Sequence, residues 1–148
     1  MPPYKGKFTP DNPNKYMGDA DNIIYRSGWE RRAMKYFDIT PGVLKWASEE
    51  VVIPYYDSVS KKVRRYFPDF LIKVQTAEGN TQTHLIEVKP SKDLRPPVGG
   101  RGKKKSTVLY EMKTYRMNQD KFAAARKWCD DRNIIWDVWT EKQLKQKG

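Results

Sequence analysis

Hydrophobic positions fall in blocks whose spacing changes along the chain. None is periodic in residues 1–22, where Pro2, Pro3, Pro10 and Pro13 are interspersed with Asn, Asp and Gly. Such punctuation predicts an extended arm, with Tyr4, Phe8 and Tyr16 available to bury against the domain or a partner. From Ser27 the spacing turns helical. Ser27-Gly28-Trp29-Glu30 fits the S-x-x-E capping box, and Trp29, Ala33, Met34, Tyr36 and Phe37 follow at helical intervals until Pro41 and Gly42 end the run. Val43 to Tyr56, rich in Val, Leu, Ile, Trp and Tyr, suits one or two β segments. Tyr66 to Val74 reads as a strand, Ala77-Glu78-Gly79-Asn80 as a turn, and Thr83 to Lys89 as the antiparallel partner.

Between Pro90 and Lys105 three prolines and three glycines predict a loop. A second helix is predicted over Tyr115 to Arg132, with Met117, Phe122, Ala125, Trp128 and Cys129 on one stripe. Ile134 to Trp139 makes a final strand, and residues 141–148 a short polar helix or tail. The expectation is one α/β domain over residues 23–140, in the order helix, strands, hairpin, helix, strand.

Charge narrows what such a domain binds. The chain has 148 residues, with 29 Lys and Arg against 18 Asp and Glu, a formal net charge of +11. Five Trp, nine Tyr and five Phe supply a core and argue against disorder. Lys61, Lys62, Arg64 and Arg65 form one basic cluster. Lys92, Arg95, Arg101, Lys103, Lys104 and Lys105 form another in the loop, where Asp93 is the one acid between Ser91 and Thr107. This concentration points to phosphate contacts and to a polyanion as partner. A single cysteine and a single histidine exclude a disulfide within the chain, a cysteine-built zinc site and chemistry needing a histidine pair. No run approaches the roughly 20 apolar residues of a membrane span. The first residues lack a signal peptide's apolar stretch, so the expectation is a cytosolic protein.

The candidate chemistry lies in the hairpin. Glu87 and Lys89, two apart on a strand, project from one face. Asp69 joins them in either of two registers: a turn centred on Gly79 sets it opposite Lys89, and one centred on Glu78 sets it opposite Glu87. A turn centred between two residues sends it to the other face. An E-x-K pair is otherwise an ordinary ion pair on a sheet. Two neighbouring carboxylates repel unless a cation sits between them, and such oxygen-rich sites suit Mg²⁺ or Mn²⁺, which polarise a phosphodiester and acidify bound water. Lys89 can orient that water or stabilise charge developing on the phosphate. Glu30 falls within the apolar arc of the first helix, where a carboxylate needs a partner. Asn118 and Lys121 likewise fall within the arc of the second helix, which predicts a polar pocket shared by both helices and the hairpin. His84 points to the face opposite Glu87 and reads as structural, and Cys129 as a core thiol. Gly99-Gly100-Arg101-Gly102-Lys103 lacks the Walker spacing and its hydroxyl.

Glu30, Pro68-Asp69 and Glu87-Val88-Lys89 together resemble the PD-(D/E)xK superfamily, whose restriction-endonuclease-like core is α-β-β-β-α-β with a mixed central sheet flanked by helices. Tyr4-Lys5-Gly6-Lys7, Tyr25 to Glu30, Trp46 to Glu50 and Arg65 to Phe70 are similar to the head-completion nucleases of T-even-like tailed phages. That resemblance implies endo- and exonuclease activity on DNA after packaging and before tail joining, in the host cytoplasm or on the virion, with portal or neck proteins as partners. It implies Asp69, Glu87 and the Val88 carbonyl as metal ligands, Lys89 as the catalytic lysine, and Glu30 as an auxiliary ligand or metal-water partner. A non-catalytic head-closure protein binding DNA or portal through its basic surface is the alternative.

Overall fold

The computed structural model describes residues 5–100 and 102–147, without the side chains of Gln146 and Lys147. The expected roles of Tyr4 in the arm and Arg101 in the basic loop lie outside the described residues.

Helix α1 (Gly28–Ile39) starts where the capping box places it: Ser27 Oγ accepts the Glu30 N–H at 3.1 Å. It ends at Thr40, before a proline that cannot continue it. Strands β1 (Gly6–Phe8) and β2 (Ile23–Tyr25) pair before it. Val43 to Tyr56 becomes two strands in two different sheets, β3 (Val43–Ser48) and β4 (Ile53–Asp57). β4 and β5 (Lys62–Tyr66) form an antiparallel ribbon. The main sheet has the order β3-β6-β7-β8, formed with β6 (Phe70–Gln75), β7 (Thr81–Val88) and β8 (Ile135–Trp139). β3, β6 and β7 run antiparallel, and β8 is parallel to β7. A parallel neighbour needs a long crossover, which α2 (Lys105–Asp131) provides. Helix α3 (Glu141–Lys147) follows. Apart from the inserted ribbon, α1-β3-β6-β7-α2-β8 is the expected α-β-β-β-α-β core with a mixed sheet. No described helix is long and apolar enough to cross a membrane.

Strand alternation sorts the apolar residues onto two faces. Trp46, Phe70, Ile72 and Ile86 meet Met34 and Phe37 of α1, Leu144 of α3, and Phe8 and Tyr16 of the arm. Trp46 is fully buried, with the rings of Tyr16, Phe37, Phe8 and Phe70 centred 4.7, 5.8, 5.9 and 6.5 Å away. Each such pair contributes about 0.5–1.5 kcal/mol beyond its buried area. Leu71, Leu85 and Trp136 face the other way, onto α2 and onto Tyr55 and Tyr66 of the ribbon. The arm is pinned by the buried Asp38, whose carboxylate accepts the backbone N–H groups of Asp11 (2.7 Å) and Asn12 (2.9 Å).

Three boundaries differ from those read in the sequence. Tyr66 to Val74 is not one strand: Tyr66 closes β5, and β6 opens at Phe70 beyond Pro68, which has no N–H for a ladder. Helix α2 starts at Lys105, ten residues before Tyr115, so the basic segment is not all loop. Its early turns expose Leu109, Tyr110 and Met112, which leaves no apolar stripe to read, and Lys104 at the N-cap makes no side-chain bond. Ser91–Leu94 is a short 3-10 turn, anchored where Ser91 donates to Glu141 from its backbone (3.0 Å) and its hydroxyl (2.6 Å). The C-terminal residues are helical, with Leu144 in the core.

Candidate active site

The hairpin turn decides the register. The N–H of Gly79 donates to Thr76 (3.0 Å) and that of Thr76 to Asn80 (2.7 Å), while Gly79 takes φ of +84°, which a side chain disfavours. Gln75 pairs Thr81 and Phe70 pairs Ile86, so the turn is centred on Glu78. One step further, Asp69 stands opposite Glu87, and Pro68 opposite Val88. Asp69, Glu87 and Lys89 therefore share the sheet face that α2 covers.

Each carboxylate is fixed by one oxygen. Glu87, 6% exposed, accepts the Tyr66 hydroxyl on Oε1 at 2.7 Å and the Asp69 N–H on the same atom at 3.3 Å. Its Oε2 lies 3.5 Å from Lys89 Nζ. Asp69 Oδ2 accepts the Val88 N–H at 2.7 Å, and its other oxygen has no donor among the described residues. The Lys89 N–H bonds to Trp139 on β8, so the backbone of Val88 turns the other way, towards the extension of β6. Pro68 stands there with no N–H to give, which leaves the Val88 carbonyl without a ladder partner.

Electrostatics follow from burial. Burial first, and then the Glu87 charge, push the Asp69 carboxyl well above its usual range. Burial also raises Glu87, against the opposing pull of Lys89, the Tyr66 hydroxyl and the Asp69 N–H. Glu30, whose Oε1 accepts the Arg26 N–H at 3.2 Å, is raised by burial and by the charges of Glu49 and Glu87. It both caps α1 and faces the pair. Lys121, with its ammonium 5.6 Å from the Tyr66 ring centre and 6.0 Å from that of Tyr55, is lowered by burial and by Lys89, while Glu87 pulls the other way. Two acids held close in a dry site favour protons or a cation.

A divalent ion fits this chemistry. Among the described residues no three His, Cys, Asp or Glu side chains form a ready cage. The second oxygens of Asp69 and Glu87 and the Val88 carbonyl are the groups that could hold it, and a set of three leaves positions for the waters that Mg²⁺ retains.

The other candidates divide. Glu30, Asp69, Glu87, Lys89 and Lys121 come together. Asn118, one turn before Lys121, instead lines a cavity of about 530 Å³ between the 92–98 segment and α2. Arg64 is held by the buried Asp57 at 3.0 Å and Lys103 by Glu111 at 3.0 Å. Lys61, Lys62, Arg65, Lys92, Arg95, Lys104 and Lys105 are exposed. His84 pairs with Asp137 at 2.7 Å on the far face, and burial raises the core thiol of Cys129 to about 11.

Sequence reasoning missed Tyr66 and the ion pair of Arg26 with Glu49. Tyr66 gives no signal, because a tyrosine at a strand end normally packs its ring. Arg26 and Glu49 are 23 residues apart and meet because the Glu49 N–H bonds to the Asp69 carbonyl at 3.0 Å.

Residues 40–141 match the family described as TnsA-like endonuclease N terminal. The chain is also similar to the head completion nuclease of Enterobacteria phage T4, with 36% identity over 148 residues covering 98% of this chain and 96% of that protein. No solved structure matches it.

Proposed function

Because the chain belongs to the TnsA-like endonuclease family, we propose that it is a Mg²⁺- or Mn²⁺-dependent deoxyribonuclease that hydrolyses phosphodiester bonds of phage DNA during head completion, before heads and tails join. The observation that carries this reading is the Asp69–Glu87 pair, each acid fixed by one oxygen, with Lys89 Nζ 3.5 Å from the second oxygen of Glu87. The name of the T4 relative supports the place in head completion, and with it the infected host's cytoplasm as surroundings.

The ion, held by Asp69, Glu87 and the Val88 carbonyl, would polarise the scissile phosphate and acidify its water. Lys89 orients the attacking water and offsets charge on the phosphate oxygens. Tyr66 holds the inner oxygen of Glu87, so that its outer oxygen keeps one direction. Glu30, at the start of α1, would bond to a water carried by that ion. Lys121 adds positive potential behind the pair. Lys61, Lys62, Arg65, Lys92, Arg95, Lys104 and Lys105 contact DNA phosphates.

Incubation with circular and with end-labelled linear DNA, with Mg²⁺ or with EDTA, tests the reading. Nicking of the circle shows endonuclease action, and release of labelled ends shows exonuclease action. Binding without cleavage under Mg²⁺ would leave only a head-closure protein, and cleavage that survives EDTA would refute the metal.

A further inference from the structure

The cavity between the 92–98 segment and α2 stands outside the carboxylate site and has its own chemistry. Its volume of about 530 Å³ lies in the range of small-molecule sites, about 300–1,000 Å³. Asn118 is 8% exposed and lines it, and its amide has no hydrogen-bond partner among the described residues. That amide opens into the cavity and carries donors and an acceptor matched to the edge of a base. Tyr110 and Tyr115 offer ring faces, with Pro96 and Pro97 opposite. Lys103 is neutralised by Glu111, whereas the side chains of Lys92 and Arg95 make no ion pair among the described residues.

The cavity also adjoins the cleavage machinery. Lys92 follows Lys89 by three residues, and Asn118 precedes Lys121 by three. On α2 three residues rise about 4.5 Å, which sets the Asn118 amide about one turn of helix from Lys121. Tyrosine rings beside unpaired cations suit a base face with its phosphate, and a base stacked within a duplex does not present that face.

From this we infer that the cavity binds an unpaired nucleotide of the DNA strand being cut, with the base stacked on Tyr110, its edge bonded to Asn118 and its phosphate held by Lys92 and Arg95. The inference rests on the nuclease reading for its substrate class. It makes the preferred substrate a DNA end or junction with a single-stranded stretch.

The test measures binding of the full chain in EDTA, where no cleavage occurs, to a labelled duplex that is blunt or carries a short single-stranded overhang. An added 2-aminopurine in the overhang reports stacking. The overhang binds about tenfold more tightly than the blunt end, as expected from stacking of a single base, and 2-aminopurine fluorescence is quenched. Asn118→Ala and Tyr110→Ala each remove most of that ratio. Tyr110 is 71% exposed, so its variant folds and decides the matter if Asn118→Ala does not. Equal binding of blunt and overhanging DNA, or a ratio unchanged in Tyr110→Ala, overturns the inference. A preserved preference with no cleavage under Mg²⁺ supports the cavity and removes the nuclease reading instead.

Discussion

Replacing Tyr66 with Phe isolates one oxygen. The ring stays, including its contact with Tyr55 at 6.4 Å, and only the hydroxyl that donates to Glu87 at 2.7 Å is lost. Glu87 Oε1 is then left with the Asp69 N–H at 3.3 Å. A hydrogen bond to a buried charged acceptor contributes about 1.5–3 kcal/mol, and one to a neutral acceptor about 1 kcal/mol. The loss therefore depends on the protonation of Glu87. Burial raises that carboxyl and the tyrosine opposes the rise, so its removal moves the titration further up.

The sign follows directly. The hydroxyl favours the ionised form in the folded state, so its contribution is largest above the folded carboxylate's range and shrinks as falling pH protonates Glu87. Urea denaturation of metal-free protein from about pH 4.5 to about pH 8.5 gives a gap between wild type and Tyr66→Phe. The gap is about 1 kcal/mol at the acid end and about 1.5–3 kcal/mol at the alkaline end. Since proton and cation compete for the same carboxylate, the pH at which Mn²⁺ begins to raise the Tm also moves upward in the variant. A gap that is flat with pH, or a Mn²⁺ response at the wild-type pH, would refute the assignment of Tyr66 as the group that holds Glu87.

Asp69→Asn keeps an acceptor for the Val88 N–H but removes a charge that burial and Glu87 disfavour. In the metal-free protein it raises the Tm at neutral pH, an advantage that disappears below the unfolded carboxylate range, where wild-type Asp69 is protonated folded or unfolded. Melts with and without Mn²⁺ check this, because the variant also loses the metal-induced rise. Lys89→Ala lowers cleavage by about 100- to 1,000-fold while the fold and metal-free DNA binding persist; a gel assay on plasmid DNA with full activity would remove the lysine from the mechanism. Changing Lys103, Lys104 and Lys105 together to Ala lowers the slope of log affinity against log salt by about 1.8, for two phosphate contacts and not three, since Glu111 already neutralises Lys103. An unchanged slope shows that this segment does not touch DNA.

How much of this was legible in the sequence depends on whether the signal was local. The capping box fixed the start of α1 because Ser27 and Glu30 act within one turn. The element order of the core was legible because buried strands and Pro41 punctuate it. Asp69 facing Glu87 was readable only to a choice of registers, since the left-handed residue that sets the turn, Gly79, fits either centre on paper. The early turns of α2 were hidden because helical propensity, not an apolar stripe, forms them. Tyr66, Arg26 and Glu49 were hidden for a different reason: their roles exist only after the chain has closed on itself. Asn118 and Lys121 were visible as polar intruders on an apolar arc, but nothing local says that one faces the carboxylates and the other a separate chamber.

Pro68 explains why the site sits at this point in the chain. A proline interrupts a ladder, so the strand that would have run from Lys62 to Gln75 divides into β5 and β6. β5 leaves the main sheet for the ribbon, which carries Tyr66 to Glu87 as part of the second core. β6 keeps its pairing with β7 only from Phe70 onward, so Asp69 is freed from the ladder and its carboxylate, not its backbone, satisfies the Val88 N–H. The carbonyl of Val88, opposite a residue with no N–H, stays available. One residue without a donor thus yields a second acid beside Glu87, a backbone oxygen without a ladder partner, and the strand break that brings the tyrosine in. The acids of the motif are the visible chemistry, and the proline before them is what makes the backbone release them.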